Sequence, residues 1–343
     1  MKRELIIKLP NPTDWELKVT VENDREIRQG EIRSKSSGKT YAIVDGIVHT
    51  LGDHLAEEVQ HEKEHAESFS YFQDDHGNPC PITRETLERN RNLFISLPKG
   101  DGSQHFQPGG GFDNQAGNAT RFFKTLDFLN LKGGESVLEV GASFGWSSWR
   151  FAQRGCDVVA LDVTNYLMAA DLYFEEDGSY FERVSGDMNN LPFGDETFDL
   201  IFSHSVIHHC KELGPLFGEF RRVLKPGGRV VAIHECAFGL LEDKSGKALQ
   251  EAIDEGFNEN AYTLPQWKKG AHDGGFKNVQ LHFFNFIDCY IDRKELRSAP
   301  QTWKLKLAYW LKAHSRLSAL VNQLSILPRI ILRPKSWMII ATK

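Results

Sequence analysis

Residues 139 to 145 place an acid two positions before a glycine and a second glycine four further on: Glu139-Val140-Gly141-Ala142-Ser143-Phe144-Gly145. They follow the apolar pair Val137-Leu138 and lead into a helix that opens with small polar residues. A buried strand that breaks into a glycine turn and then a helix N-terminus makes a cradle for a small molecule, because backbone amides converge there. Gly141 lets the chain turn without a Cβ clash, and Gly145 lets a ligand or the helix come close. The Glu139 carboxylate can accept a hydrogen bond from a hydroxyl or an ammonium group. A second acid, Asp162, ends the apolar run from Cys156. It lies about 20 residues beyond the turn, where an acid meets ribose hydroxyls in nucleotide-binding βαβ units. A different chemistry is offered by His61-Glu62-x-x-His65, whose two histidines share a helical face as zinc requires. Its flanks are charged and no third ligand follows at metallopeptidase spacing, so a solvated helix is the favoured reading.

Two readings compete for the glycine turn. Dinucleotide-binding enzymes use G-x-G-x-x-G, whereas these glycines are spaced G-x-x-x-G. The turn resembles motif I of the class I S-adenosylmethionine (SAM) methyltransferases, E/D-x-G-x-G-x-G. Glu139, Gly141 and Gly145 match it, and Ser143 stands at the middle glycine. Further segments resemble the later motifs of that family in order. They are FERVSGDMNNLPFGDETFDLIFSHSVIHH, from Phe181, and FRRVLKPGGRVVAIHE, which ends at Glu235.

The resemblance implies SAM as cofactor, held by Glu139, Gly141, Ala142, Ser143, Gly145, Asp162, Val163, Asp187, Met188 and Ser203. In that scheme Asp162 meets the ribose, Asp187 the adenine amino group, and Met188 packs on the ring. The end of the fourth strand then faces the methyl group. His204, His208 and His209 stand at that end, and His234 at the end of the fifth strand. A hydroxyl acceptor gains from a general base, worth about 10²–10⁴-fold, and histidine suits that task near neutral pH. His204, His234 and His209 are therefore the catalytic candidates; His209 also matches a position where relatives carry histidine for structural reasons.

The elements that must position these residues read as an α/β chain with a doubly wound, Rossmann-like sheet. Strands are expected near 136–141, 156–162, 181–186, 198–204 and 229–235. The resemblance adds a sixth over 278–284 and an antiparallel seventh over 336–343, seven in all. Residues 1–54 alternate polar and apolar and form a small β-rich unit. Its Gly38, Tyr41, Ile43, Asp45, Gly46 and Ile47 resemble the end of the zinc-ribbon domain of some methyltransferases, without the four cysteines. Residues 55–130 form a helical leader. Within it Thr83 caps a helix with Thr86 in the first turn, and the glycine-rich loop 106–117 offers Phe106, Gln107 and Phe112 as lid residues. The SAM-binding domain is expected over 131–343, with insertions at 237–273 and 288–335. The second insertion is basic and amphipathic, with a stretch over 300–327 suited to peripheral contact with an anionic membrane. The same stretch also suits an anionic substrate, or packing over the sheet with a solvated basic face.

The chain has 343 residues and a formal charge of −6, which disfavours broad nucleic-acid binding. Its five cysteines are scattered without a C-x-x-C pair, consistent with a cytoplasmic location. The N-terminal apolar run is too short for a signal peptide, and no stretch approaches the roughly 20 apolar residues of a membrane span. The resulting expectation is O-methylation of a small or medium metabolite in specialised-metabolite, sugar or lipid-linked biosynthesis. The alternatives are an RNA methyltransferase, prompted by the ribbon-like N-terminus, and a non-catalytic protein that kept the fold.

Overall fold

The computed structural model describes residues 1–52, 59–60, 63–64, 72–73, 79–99, 115–241, 260, 262–296, 301–332 and 337–343. The His61 to His65 motif and the expected lid residues Phe106, Gln107 and Phe112 lie outside them. β1 (Trp15–Glu22), β2 (Ile27–Ser34), β3 (Thr40–Val44) and β4 (Ile47–His49) form an antiparallel meander. Between β3 and β4, Asp45 and Gly46 have φ of 50° and 79°, the pair of left-handed residues that a two-residue hairpin demands. Tyr41 and Ile43 alternate into the core and Ile47 follows them.

A two-residue ladder joins β5 (Phe72–Gln73) to β6 (Pro79–Cys80). α1 (Arg84–Arg89) opens on a reciprocal cap: Thr86 N donates to Thr83 Oγ1 at 3.2 Å, and Thr83 N to Thr86 Oγ1 at 2.7 Å. α2 (Arg91–Ser96) and α3 (Gln115–Leu129) follow. Next come β7 (Ser136–Val140), α4 (Trp146–Ala152), β8 (Asp157–Asp162), α5 (Ala170–Asp177) and β9 (Glu182–Ser185). The chain continues with β10 (Phe198–His204), α6 (Leu213–Val223), β11 (Leu224–Ile233), α7 (Leu264–Asp273) and β12 (Asn278–Phe283). It ends with α8 (Phe286–Leu296), α9 (Trp303–Ala313), α10 (Ser315–Leu332) and β13 (Trp337–Thr342).

One sheet runs β1-β2-β3-β4-β9-β8-β7-β10-β11-β13-β12. Pairing is parallel from β4 through β9, β8, β7 and β10 to β11, and β13 is antiparallel to both its neighbours. The expected sheet of seven strands is thus corrected to one of eleven, because β1 to β4 continue it instead of forming a sheet of their own. The physical reason is the edge of β9. Left bare, it would expose a row of unpaired backbone groups; β4 covers it, with Ile47 opposite Arg183 and His49 opposite Ser185.

Charge locks this joint. The buried Arg183 contacts Glu26, and its Nη1 lies 3.1 Å from Asp171. The Met1 ammonium donates to Glu26 Oε2 at 3.0 Å and to Gly46 O at 3.0 Å. A Cβ on Gly46 would lie 2.2 Å from Arg183 Nη2, so the hairpin turn can reach the ion cluster only with glycine there.

The parallel strands are buried on both faces, as near-continuous apolar runs should be. Leu138, Val140, Val159, Leu161 and Ile201 face the core that α6 and α7 cover through Phe217, Phe220 and Trp267. Val137, Val158, Ala160, Leu200 and Phe202 face the opposite core, with Phe122 of α3, Trp149 of α4 and Tyr173 of α5. β11 starts earlier than expected, at Leu224, with a register shift before Arg229, and stops at Ile233. His234 has φ of 63° and turns the chain out of the strand.

Candidate active site

The C-terminal ends of β7, β8, β9, β10 and β11 converge on one side of the sheet. Strand order reverses direction at β7, the kind of switch point where open α/β sheets bind ligands. The turn after β7 runs through three left-handed residues, Gly141 (φ 68°), Ser143 (φ 48°) and Gly145 (φ 77°). For serine this is an uncommon conformation, and a neighbour holds it: Ser143 N donates to Asp162 Oδ2 at 2.7 Å. The other oxygen of Asp162 accepts from Thr164 N at 2.8 Å and Thr164 Oγ1 at 2.7 Å. Burial raises the pKa of this carboxyl, and its hydrogen bonds to Thr164, Ser143 and Val163 oppose that shift.

Gly141 turns the chain at positive φ as expected, and close packing adds a second reason for both glycines. A Cβ on Gly141 would lie 2.3 Å from Val206 Cγ2, and one on Gly145 would lie 2.8 Å from Phe181 Cζ. Both positions are packed by the chain itself. Glu139 differs from expectation: it is buried, and its two oxygens accept from the Ser147 and Ser148 hydroxyls. The carboxyl therefore ties the first turn of α4 to β7. Burial pushes its pKa up to about 7 against the pull of these two hydroxyls.

Asp187 follows β9, half-buried, and its Oδ1 accepts from Asn189 N at 2.8 Å and Asn189 Nδ2 at 2.9 Å. Met188 beside it packs on the core. Ala142 and Ser203 are buried and Val163 is half-buried at the strand ends. Ser203 Oγ donates to Glu235 Oε1 at 3.2 Å.

His204 and His234 are brought together. Their rings stack at 4.6 Å with 28° between planes, and the edge of Trp146 meets His204 at 5.5 Å. Burial pushes His204 down to about 4, with Arg121 adding to the effect and Glu235 opposing it. Burial, Arg121 and His204 hold His234 well below its ordinary value. Both rings are neutral at pH 7, and the Nε2 atom of each is shielded without a hydrogen-bond partner among the described residues. His209 instead packs against His208, ring centroids 4.3 Å apart, on the turn after β10.

The expected site omits Glu235. This buried carboxylate accepts from Val206 N at 3.2 Å, Ile207 N at 3.2 Å, His208 N at 3.1 Å and His208 Nδ1 at 2.8 Å. Burial alone would raise its pKa; the contacts from His208 and these amides hold it below the usual value. Its signal was present in the sequence: a charged residue ending the apolar run Val230 to Ile233 is buried with partners or not at all. Arg121 and Trp146 were also missed, because their approach to the histidines depends on how α3 and α4 pack.

A parallel sheet with a glycine turn after β7 and acids at the ends of β8 and β9 is the arrangement of a class I SAM-dependent methyltransferase domain. Residues 138–232 match the family model described as a methyltransferase domain. Over 93 residues the chain is 38% identical to a bifunctional biotin biosynthesis protein of Cellvibrio japonicus, covering 27% of this chain and 18% of that one. It is 27% identical to squalene methyltransferase 1 of Botryococcus braunii over 231 residues, 64% of this chain and 60% of that one. It is 31% identical to the malonyl-[acyl-carrier protein] O-methyltransferase of Pectobacterium atrosepticum over 122 residues, 36% and 47% of the two chains. The chain thus spans between about a fifth and three fifths of the length of these relatives.

The residues present fit the cofactor. The amides of Gly141, Ala142, Ser143 and Gly145 are spent within the chain, so the fit rests on the acids: Asp162 and Asp187 each keep lone pairs beyond the hydrogen bonds they accept. SAM supplies a methyl group on a sulfonium, so the protein's task is orientation and proton handling.

Proposed function

We propose that the chain transfers the methyl group of SAM to an oxygen of a small or medium metabolite, and that the His204–His234 pair receives the acceptor's proton. One observation carries this reading: two neutral imidazoles stacked at the ends of β10 and β11, each with an Nε2 that no group among the described residues satisfies. Buried polar atoms are rarely left so, and a hydroxyl or carboxyl of the acceptor meets the need. Asp162 and Asp187 hold the adenosine; Glu139 supports the loop from below.

The depressed basicity narrows the acceptor. Proton transfer is efficient when base and acid are matched, and a ring held near 4 suits an acidic hydroxyl, a phenol or an enol, better than an aliphatic alcohol; a carboxyl is ionised at pH 7 and leaves no proton to receive. The malonyl-[acyl-carrier protein] O-methyltransferase relative supports an oxygen acceptor, and the squalene methyltransferase relative an apolar one. An amphiphilic metabolite with a phenolic or enolic hydroxyl satisfies both. The mildly acidic chain gives RNA less support.

The test is turnover of methyl-labelled SAM with fractionated small-molecule extracts, followed by alkaline treatment of the product. Release of labelled methanol identifies a carboxyl methyl ester; a label stable to alkali and to ether cleavage points to carbon and sinks the oxygen reading. His204→Ala and His234→Ala should each slow turnover by about 10²–10⁴-fold with cofactor affinity kept. Undiminished rates in both end the base proposal, and no heat on calorimetric titration with SAM leaves only a non-catalytic protein.

A further inference from the structure

α10 carries two apolar faces: Val321 and Ile330 pack on the protein, and a row of leucines points away from it. Along it Ser318, Asn322 and Ser325, spaced i, i+4 and i+7, turn toward the protein. Phe286 N donates to Asn322 Oδ1 at 2.9 Å, and Asn322 Nδ2 to Ser318 O at 2.8 Å. The leucines face the other way: Leu320, Leu324 and Leu327 are 50%, 66% and 64% exposed. α9 likewise keeps a second apolar face outward. Leu305 and Ala308 pack on Ile287 and Ile291 of α8, while Trp303 and Trp310, 70% and 51% exposed, point outward with Leu307. A helix stabilised by its own domain buries its apolar stripe; here that stripe is presented to the surroundings.

The charge on the same two helices is one-sided. From Thr302 to Leu332 there are five cations, Lys304, Lys306, Lys312, Arg316 and Arg329, and no aspartate or glutamate. Lys304, Lys306 and Arg316 are exposed. Among the described residues no helix is long and apolar enough to cross a membrane. Outward leucines, tryptophans able to sit at the headgroup level and surrounding lysines are the composition of a helix that lies in a bilayer interface. The alternative of packing over the sheet with a solvated basic face accounts for Leu305 and Ala308 but not for the exposed stripe.

We propose that α9 and α10 form a docking surface for the face of an anionic lipid bilayer, with the leucines and tryptophans entering the acyl boundary and the lysines meeting the headgroups. The rest of the fold brings this surface close to the candidate site: Asp288 of α8 takes Lys124 of α3 at 2.7 Å, and α3 also carries Arg121. The surface is independent of the identity of the methyl acceptor.

The experiment is co-sedimentation of the full chain with vesicles of phosphatidylcholine, with and without phosphatidylglycerol. Binding is expected with phosphatidylglycerol, falling as salt is raised. Leu320→Glu/Leu324→Glu should abolish it. Lys304→Ala/Lys306→Ala should weaken it roughly thirty-fold, at about 1 kcal/mol per cation near such a surface. The positions are solvent-facing, so melting temperatures should be unchanged, and the lysine pair serves if the glutamate variant fails to fold. The proposal is overturned if the wild-type chain stays in the supernatant with phosphatidylglycerol vesicles, or if neither variant weakens binding. It is equally overturned if light scattering shows a dimer that Leu324→Glu splits, because the stripe would then belong to a second copy.

Discussion

Glu235, one residue past His234, contacts His208 Nδ1 at 2.8 Å across the gap between the ends of β11 and β10. The same carboxylate gathers the amides of Val206, Ile207 and His208, so it shapes the turn that follows His204. It also fixes the tautomer of His208, because a carboxylate can only accept and Nδ1 must carry the proton. The stacked histidines therefore rest on a buried ionic anchor, and Ser205, at φ 63°, is the strained residue between them.

Glu235→Gln removes the charge and presents an N–H₂ where an acceptor is required. Stability should fall by about 3 kcal/mol, the usual cost of breaking a buried charged network, and turnover should fall with it because the His204 turn loosens. Denaturant unfolding and a methylation assay read the two effects. Wild-type stability in this variant would mean that the amides after β10 find other partners.

Asp162→Ala should weaken SAM binding by roughly 10–100-fold, the range for losing hydrogen bonds to a charged acceptor. Because Asp162 also holds Ser143 in its left-handed conformation, the melting temperature should drop in the absence of cofactor as well. Calorimetric titration and thermal scans check both, and affinity equal to wild type would show that the ribose contact lies elsewhere.

Glu139 predicts a pH dependence. Its carboxyl is at about 7 in the folded chain against an ordinary value of 4.5, with burial as the cause. A raised carboxyl pKa means that the folded state prefers the protonated form. Its contribution is complete below 4.5 and is lost as pH rises through 7, where the penalty reaches the order of 3 kcal/mol. Glu139→Gln has no proton to lose, so its melting temperature should gain on wild type between pH 5 and pH 8. Parallel curves would show that the Ser147 and Ser148 hydroxyls stabilise the ionised form enough to cancel burial.

Local sequence carried a good deal of this protein. The apolar runs ending at Val140, Asp162 and His204 are short, so a buried parallel strand was legible from composition alone. Thr83 with Thr86 is a short-range code whose partners lie within three residues, and it is realised as a cap; Asp45 with Gly46, taken only as part of the ribbon-like pattern, proves to be an equally local turn. The motif acids sit at strand ends because strand, turn and helix are consecutive in the chain.

What the sequence by itself determined, then, was the order of elements and the residues at their boundaries, since these follow from periodicity and from contacts a few positions apart. Tertiary structure decided the rest. Only packing shows that Gly141 makes room for Val206 and Gly145 for Phe181, that β4 closes the edge of β9, and that Glu139 faces two serines of α4. His204 and His234 stand thirty positions apart, and they meet because β10 and β11 are parallel neighbours ending at the same level. The outward stripe of α10 was equally hidden: a 3.6-residue period reveals that a helix has two faces, but which one meets the protein is settled by what Asn322 finds to bond with.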